Sequence, residues 1–130
     1  MIKEIVINGL HIHDIASFYE EINRVFMSNE DWKIGQSLDA FNDLLYGGFG
    51  AMENGESVKF IWENAENMKK ALGYEVTKTY YEDKLKPDAP FNSNYFREKL
   101  IALESGSGET YFDLLRSVVE THPNIELVLV

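Results

Sequence analysis

Three short runs rich in β-branched and apolar residues, IKEIVI at 2–7, SVKFIW at 57–62 and IELVLV at 125–130, stand far apart in the chain, with helical periodicity between them. Strands separated in this way cannot pair through tight hairpins. They need crossover connections, which make neighbouring strands parallel and place helices against the sheet. The pattern therefore predicts an α/β fold. The last run is apolar everywhere except Glu126, which predicts a strand buried on both faces.

The segments between the runs carry their own boundaries. Asn8-Gly9 ends the first run as a turn, and Asp14 stands where a helix N-cap belongs. Ile15, Phe18, Tyr19, Ile22, Val25 and Phe26 then recur at three- and four-residue spacing, so a helix with one buried stripe is expected. Residues 28–36 are polar. Ser37 caps a second helix with Leu38, Phe41, Leu44 and Leu45 on its apolar face, and Gly47, Gly48 and Gly50 end it in a mobile turn. A third helix is expected at about 64–72, with Ala65, Met68 and Leu72 inward. Residues 73–107 are the least regular: a Tyr/Thr-rich run, two prolines in KPDAP, a short helix from Tyr95 to Leu103 and a GSG connector. A last helix, about Thr110 to Thr121, buries Tyr111, Leu114, Leu115 and Val118 before Pro123 stops it. The whole, 1–130, reads as one domain with no internal repeat.

Charge narrows the function. Twelve Lys and Arg against 22 Asp and Glu leave a formal charge of −10. Direct nucleic-acid binding needs the opposite sign, whereas a basic protein partner would be steered toward such a surface. With no cysteine, no signal-peptide pattern and no apolar stretch long enough to span a bilayer, the expectation is a cytoplasmic protein outside the membrane, monomeric when free.

On the second helix, Asp39, Asn42, Asp43 and Tyr46 share the face opposite the apolar stripe. Asp39 complements the helix dipole in the first turn. Asp43 lies toward the other end and faces a like charge at i,i+4, an arrangement that costs a free helix a few tenths of a kcal/mol to about 1. Two readings stand: an ordinary solvated face, or a surface kept for a cationic partner. Paired carboxylates also serve glycoside hydrolysis, but that chemistry needs a concave pocket and an acid of raised pKa, which an exposed helix face lacks. No catalysis and no cofactor are expected. His11 and His13 form an H-x-H pair but fall short of a metal set. GGFG at 47–50 lacks the lysine and following helix of a phosphate loop. The aromatics Tyr80, Tyr81, Phe91, Tyr95 and Phe96 either cover a secondary patch of core or form a partner-binding arm.

VINGLHIHDIASFYEEIN (6–23), IGQSLDAFNDLL (34–45), FIWENAE (60–66) and YFDLLRSVVETHPNIELVLV (111–130) together resemble the barstar family, with 73–107 as an insertion. The resemblance implies a three-stranded parallel sheet packed with helices. It also implies that the second helix and the loop before it plug the active site of a secreted ribonuclease, in place of substrate phosphates. Asp39 and Asp43 match the two inhibitory acids. Where the family carries a tryptophan before the second acid this chain has Asn42. The loop tyrosine falls at Lys33, beside Trp32, and the glutamate of the last helix falls at Ser117, with Asp113 or Glu120 as replacements. The partner implied is a basic nuclease or toxin protein, contacted by Trp32, Lys33, Asp39, Asn42, Asp43 and Tyr46. The alternative is a non-inhibitory module that binds an unrelated partner through the aromatic insert.

Overall fold

In the computed structural model, which describes residues 2–130, the three runs become β1 (Lys3–Asn8), β2 (Val58–Glu63) and β3 (Ile125–Leu129). They form a parallel sheet in the order β1-β2-β3. Ile5, Phe60 and Leu127 lie side by side across it, as do Ile7, Trp62 and Leu129, and this face meets the helices. The alternate residues form the rows Glu4–Lys59–Glu126 and Val6–Ile61–Val128, which are exposed or half-buried. Helices thus cover one face only, and the first of these rows sets a lysine between two glutamates.

This corrects the expectation for the last strand. Only Ile125 of β3 is buried, because β3 is an edge strand with one helix-covered face, and its apolar run extends onto the open one.

Helix α1 (Ile15–Phe26) starts at a reciprocal cap: Ser17 N donates to Asp14 Oδ1 at 2.8 Å and Asp14 N donates to Ser17 Oγ at 3.0 Å. Its stripe buries Phe18, Tyr19, Ile22 and Phe26 over the sheet, with Ile15 and Val25 half-buried. Helix α2 (Leu38–Tyr46) follows a long loop, and α3 (Ala65–Ala71) buries Ala65 and Met68 just after β2. Between β1 and α1 a 3-10 turn, Gly9–His11, passes so near Asn64 that a Cβ on Gly9 would lie 2.3 Å from its carbonyl oxygen.

Residues 73–107 are more ordered than their composition implies. They form a helical hairpin, α4 (Tyr74–Lys84) and α5 (Ser93–Glu104), with Pro87 and Pro90 in the connection. Thr77 explains why β-branched residues fold as helix here. Buried, it donates from Oγ1 to the Gly73 carbonyl (2.7 Å) and accepts the Tyr111 N–H (2.7 Å), a donor that the first turn of α6 (Tyr111–Glu120) leaves free. The next N–H, of Phe112, reaches the Leu72 carbonyl at 3.2 Å. Tertiary bonds thus outweigh weak local propensity. In α6 the buried residues are Tyr111, Phe112, Leu115 and Val119. Leu114 and Val118, expected inside, are half-buried, since the helix is rotated to bring Phe112 edge-on to Trp62 at 5.6 Å.

Candidate functional site

The acidic face of α2 is aimed by its apolar one. Phe41, Leu44 and Leu45 are fully buried and α2 packs on α6, so Asp39, Asp43 and Tyr46 point away from the core and Asn42 lies half-buried beside them. Ser37 caps the start, accepting the Ala40 N–H at 3.1 Å. Gly47, at φ 85°, ends it where a Cβ would lie 2.2 Å from the Glu53 carbonyl oxygen. The glycine turn expected to be mobile is tied down: Gly48 N donates to Met52 O at 3.0 Å and Gly50 N to Glu30 Oε2 at 2.7 Å.

The predicted site residues divide into two groups. Asp39 and Asp43 are exposed, and among the described residues neither carboxylate takes part in an ion pair or side-chain hydrogen bond. Asn42 is engaged internally. Its Oδ1 lies 2.7 Å from His122 Nε2, which requires the Nε2-protonated ring. His122 is buried, and burial pushes its pKa below the ordinary histidine value. Tyr46, 61 % exposed, rests on the same imidazole with centroids 4.7 Å apart. The His122 ring thus underlies the C-terminal half of the face.

Trp32 and Lys33 stand on the loop before α2, both exposed, with Trp32 packed on Phe49 at 5.1 Å. That loop is fixed from α1. Asn23 Oδ1 accepts the Ile34 N–H at 2.9 Å, Asn23 Nδ2 donates to the Ile34 carbonyl at 3.3 Å, and the Ile34 side chain is buried. A cleft of about 700 Å³ opens between α1 and the loop, lined by Trp32, Lys33, Arg24 and Glu30 among others.

A second cleft, of about 320 Å³, touches the start of the acidic face. Asp39 and Leu38 form one wall; Tyr80, Lys84, Phe91 and Tyr95 from the α4–α5 hairpin form another. Among the described residues, Asp39 is the one carboxylate in its lining.

Asn23, Glu30 and His122 position the face and the loop beside it, and Glu21 joins β1 to α1; sequence patterning assigned none of them these roles. Glu21 is buried on the apolar stripe of α1. It accepts from Arg24 Nε (2.8 Å) and Nη2 (2.7 Å) and from Asn8 N (2.8 Å), and pairs with His11 Nδ1 (2.9 Å). Burial alone would raise its pKa; the Arg24 bonds and then the Asn8 and His11 bonds outweigh it and bring it down to about 2. A signal existed, an acid three residues after Phe18 on the buried stripe with an arginine one turn on. Asn23 and Glu30 carried none. His11 is thus a partner of Glu21, and among the described residues no three His, Asp, Glu or Cys side chains gather as a metal set. Asp113, one of the two candidates for the last-helix acid, is occupied in the α6 cap, where its Oδ2 accepts from Thr110 N at 3.0 Å and Thr110 Oγ1 at 3.1 Å. Glu120 remains exposed.

A family model described as barstar (barnase inhibitor) matches residues 2–81, more than half of the chain, and the chain belongs to the barstar family. The match spans β1 to the last turn of α4; the rest of the hairpin, α6 and β3 lie beyond it. No curated protein sequence matched the chain. No helix among the described residues is long and apolar enough to cross a membrane.

Proposed function

Starting from membership of the barstar family, a family of ribonuclease inhibitors, we propose that this protein binds and inhibits a ribonuclease or related nuclease toxin by covering its active site with the acidic face of α2. Asp39 and Asp43 meet the cations that otherwise hold substrate phosphates, and Trp32, Lys33 and Tyr46 flank them. Asn42, bonded to His122, shapes the surface from below. The protein contributes no chemistry and no cofactor, and acts as a monomer in the cytosol.

The observation that carries this reading is that both aspartates lie on a helix fixed at each end, yet neither has an internal partner among the described residues. Fixed, unneutralised carboxylates favour fast encounter with a basic cleft and lose little freedom on docking. The reading of the hairpin as an arm for an unrelated partner is weakened by the cleft it shares with Asp39, which makes hairpin and acidic helix one continuous surface.

Calorimetric titration against a panel of basic ribonucleases and toxin nuclease domains, at low and moderate salt, tests the proposal. Tight, salt-sensitive binding that Asp43→Ala weakens is expected. Binding that Asp43→Ala leaves unchanged would remove the acidic face from the mechanism.

A further inference from the structure

The cleft between α2 and the hairpin already holds a cation of its own. Lys84, in the last turn of α4, places its ammonium 3.9 Å from the Phe91 ring centroid and 5.1 Å from that of Tyr80. Lys99 lies 5.5 Å from Tyr95, so each cation–ring contact among the described residues falls on this hairpin. The rings are partly open: Phe91 is 45 % and Tyr95 51 % exposed, while Tyr80 is anchored edge-on to the buried Tyr111 at 5.1 Å. Asp39 adds a carboxylate to the lining, yet Lys84 makes no ion pair with it within 4.0 Å. Rings, a nearby acid and a resident ammonium together describe a cavity built for positive charge.

Resting on the inhibitor reading above, we propose that this cleft is a second subsite for the same basic partner, accepting an arginine side chain that displaces Lys84 from the rings of Phe91 and Tyr80. Three observations support it. Lys84 is the weaker occupant, because an ammonium is a strongly hydrated point charge on a flexible stem, whereas a guanidinium is planar, less hydrated and stacks on aromatic faces. Asp39 belongs both to the cleft and to the exposed face of α2, so one partner can reach both. The wall facing the rings carries an acid, Asp39, that the resident lysine leaves unpaired and that a forked guanidinium can bind while stacked. Lys84 thus acts as a placeholder, keeping the rings apart and the cleft open until a better cation arrives.

The test is an NMR titration of the whole chain with N-acetyl-arginine amide, with N-acetyl-norleucine amide as the apolar control. Saturable shifts at Phe91, Tyr95 and Tyr80 are expected with the arginine probe alone. Lys84→Gln should tighten that binding by about threefold to fivefold, and Phe91→Leu, which keeps apolar volume but removes the ring, should weaken it by a similar factor. Tyr95→Leu, at a more exposed position, replaces Phe91→Leu if the latter disturbs the hairpin. Equal response to both probes, or none to arginine even in Lys84→Gln, overturns the subsite. Ribonuclease titrations separate the two proposals. If Asp43→Ala weakens the complex while neither Phe91→Leu nor Tyr95→Leu does, only the subsite fails. If the arginine probe binds as expected but Asp43→Ala leaves ribonuclease affinity unchanged, the inhibitor reading fails instead.

Discussion

Glu21 and Asp43 are both acids on helices, and the molecule treats them in opposite ways. Glu21 is buried and met by a backbone N–H, a histidine and both arms of an arginine, joining the end of β1 to α1. Asp43 is exposed, faces another acid one turn away, and has no partner among the described residues. A carboxylate neutralised inside the fold serves the fold. One left unneutralised against its own local interest is available to something outside it.

Removing the two acids should therefore damage different properties. The largest effect is expected for Glu21→Ala, about 3 kcal/mol of stability by urea unfolding, since a half-buried backbone donor, an arginine and a histidine lose their common acceptor. Ribonuclease affinity measured on the folded protein should hardly move. Asp43→Ala should do the reverse, weakening the complex by about 2 kcal/mol while leaving stability the same or a few tenths higher through relief of like-charge repulsion. A stability loss in Asp43→Ala comparable to that of Glu21→Ala would erase the distinction.

Acid sharpens the same contrast. The folded pKa of Glu21 is lowered from 4.5 to about 2, so its contribution is complete above 4.5 and disappears as pH falls through that interval. Glu21→Gln should flatten this limb of a pH–stability curve. His122 acts at higher pH. Its pKa is lowered by burial, so below the ordinary value of 6.5 the unfolded chain takes up the proton first and stability begins to fall. His122→Gln should remove that earlier decline. The smallest effect is expected for Asn42→Ala, about 1 kcal/mol of stability from the lost bond to His122, with a weaker effect on affinity than that of Asp43→Ala.

Much of the frame was legible from residue order. Three separated β runs implied a parallel sheet, and Asp14 and Ser37 announced the helices they cap. The outward set on α2 followed from where Phe41, Leu44 and Leu45 had to go. What failed depended on contacts distant in sequence. Nothing local says that Thr77 bonds to the start of α6 and so holds a β-branched segment helical. Nor does composition reveal that β3 lies at an edge with one face open. At the site, the exposed acids were visible because exposure follows from helical period. Asn42 looked equally available, and only the fold brings His122, eighty positions away, beneath it.

The loop carrying Trp32 is secured twice, by Asn23 to Ile34 and by Glu30 to Gly50. If the proposed inhibition holds, a partner docking there would find the loop already held in place, and no slow rearrangement is expected between collision and capture. In stopped-flow mixing the observed rate should climb in proportion to partner concentration without levelling off, and the lifetime of the complex, not the speed of its formation, should then distinguish one nuclease from another.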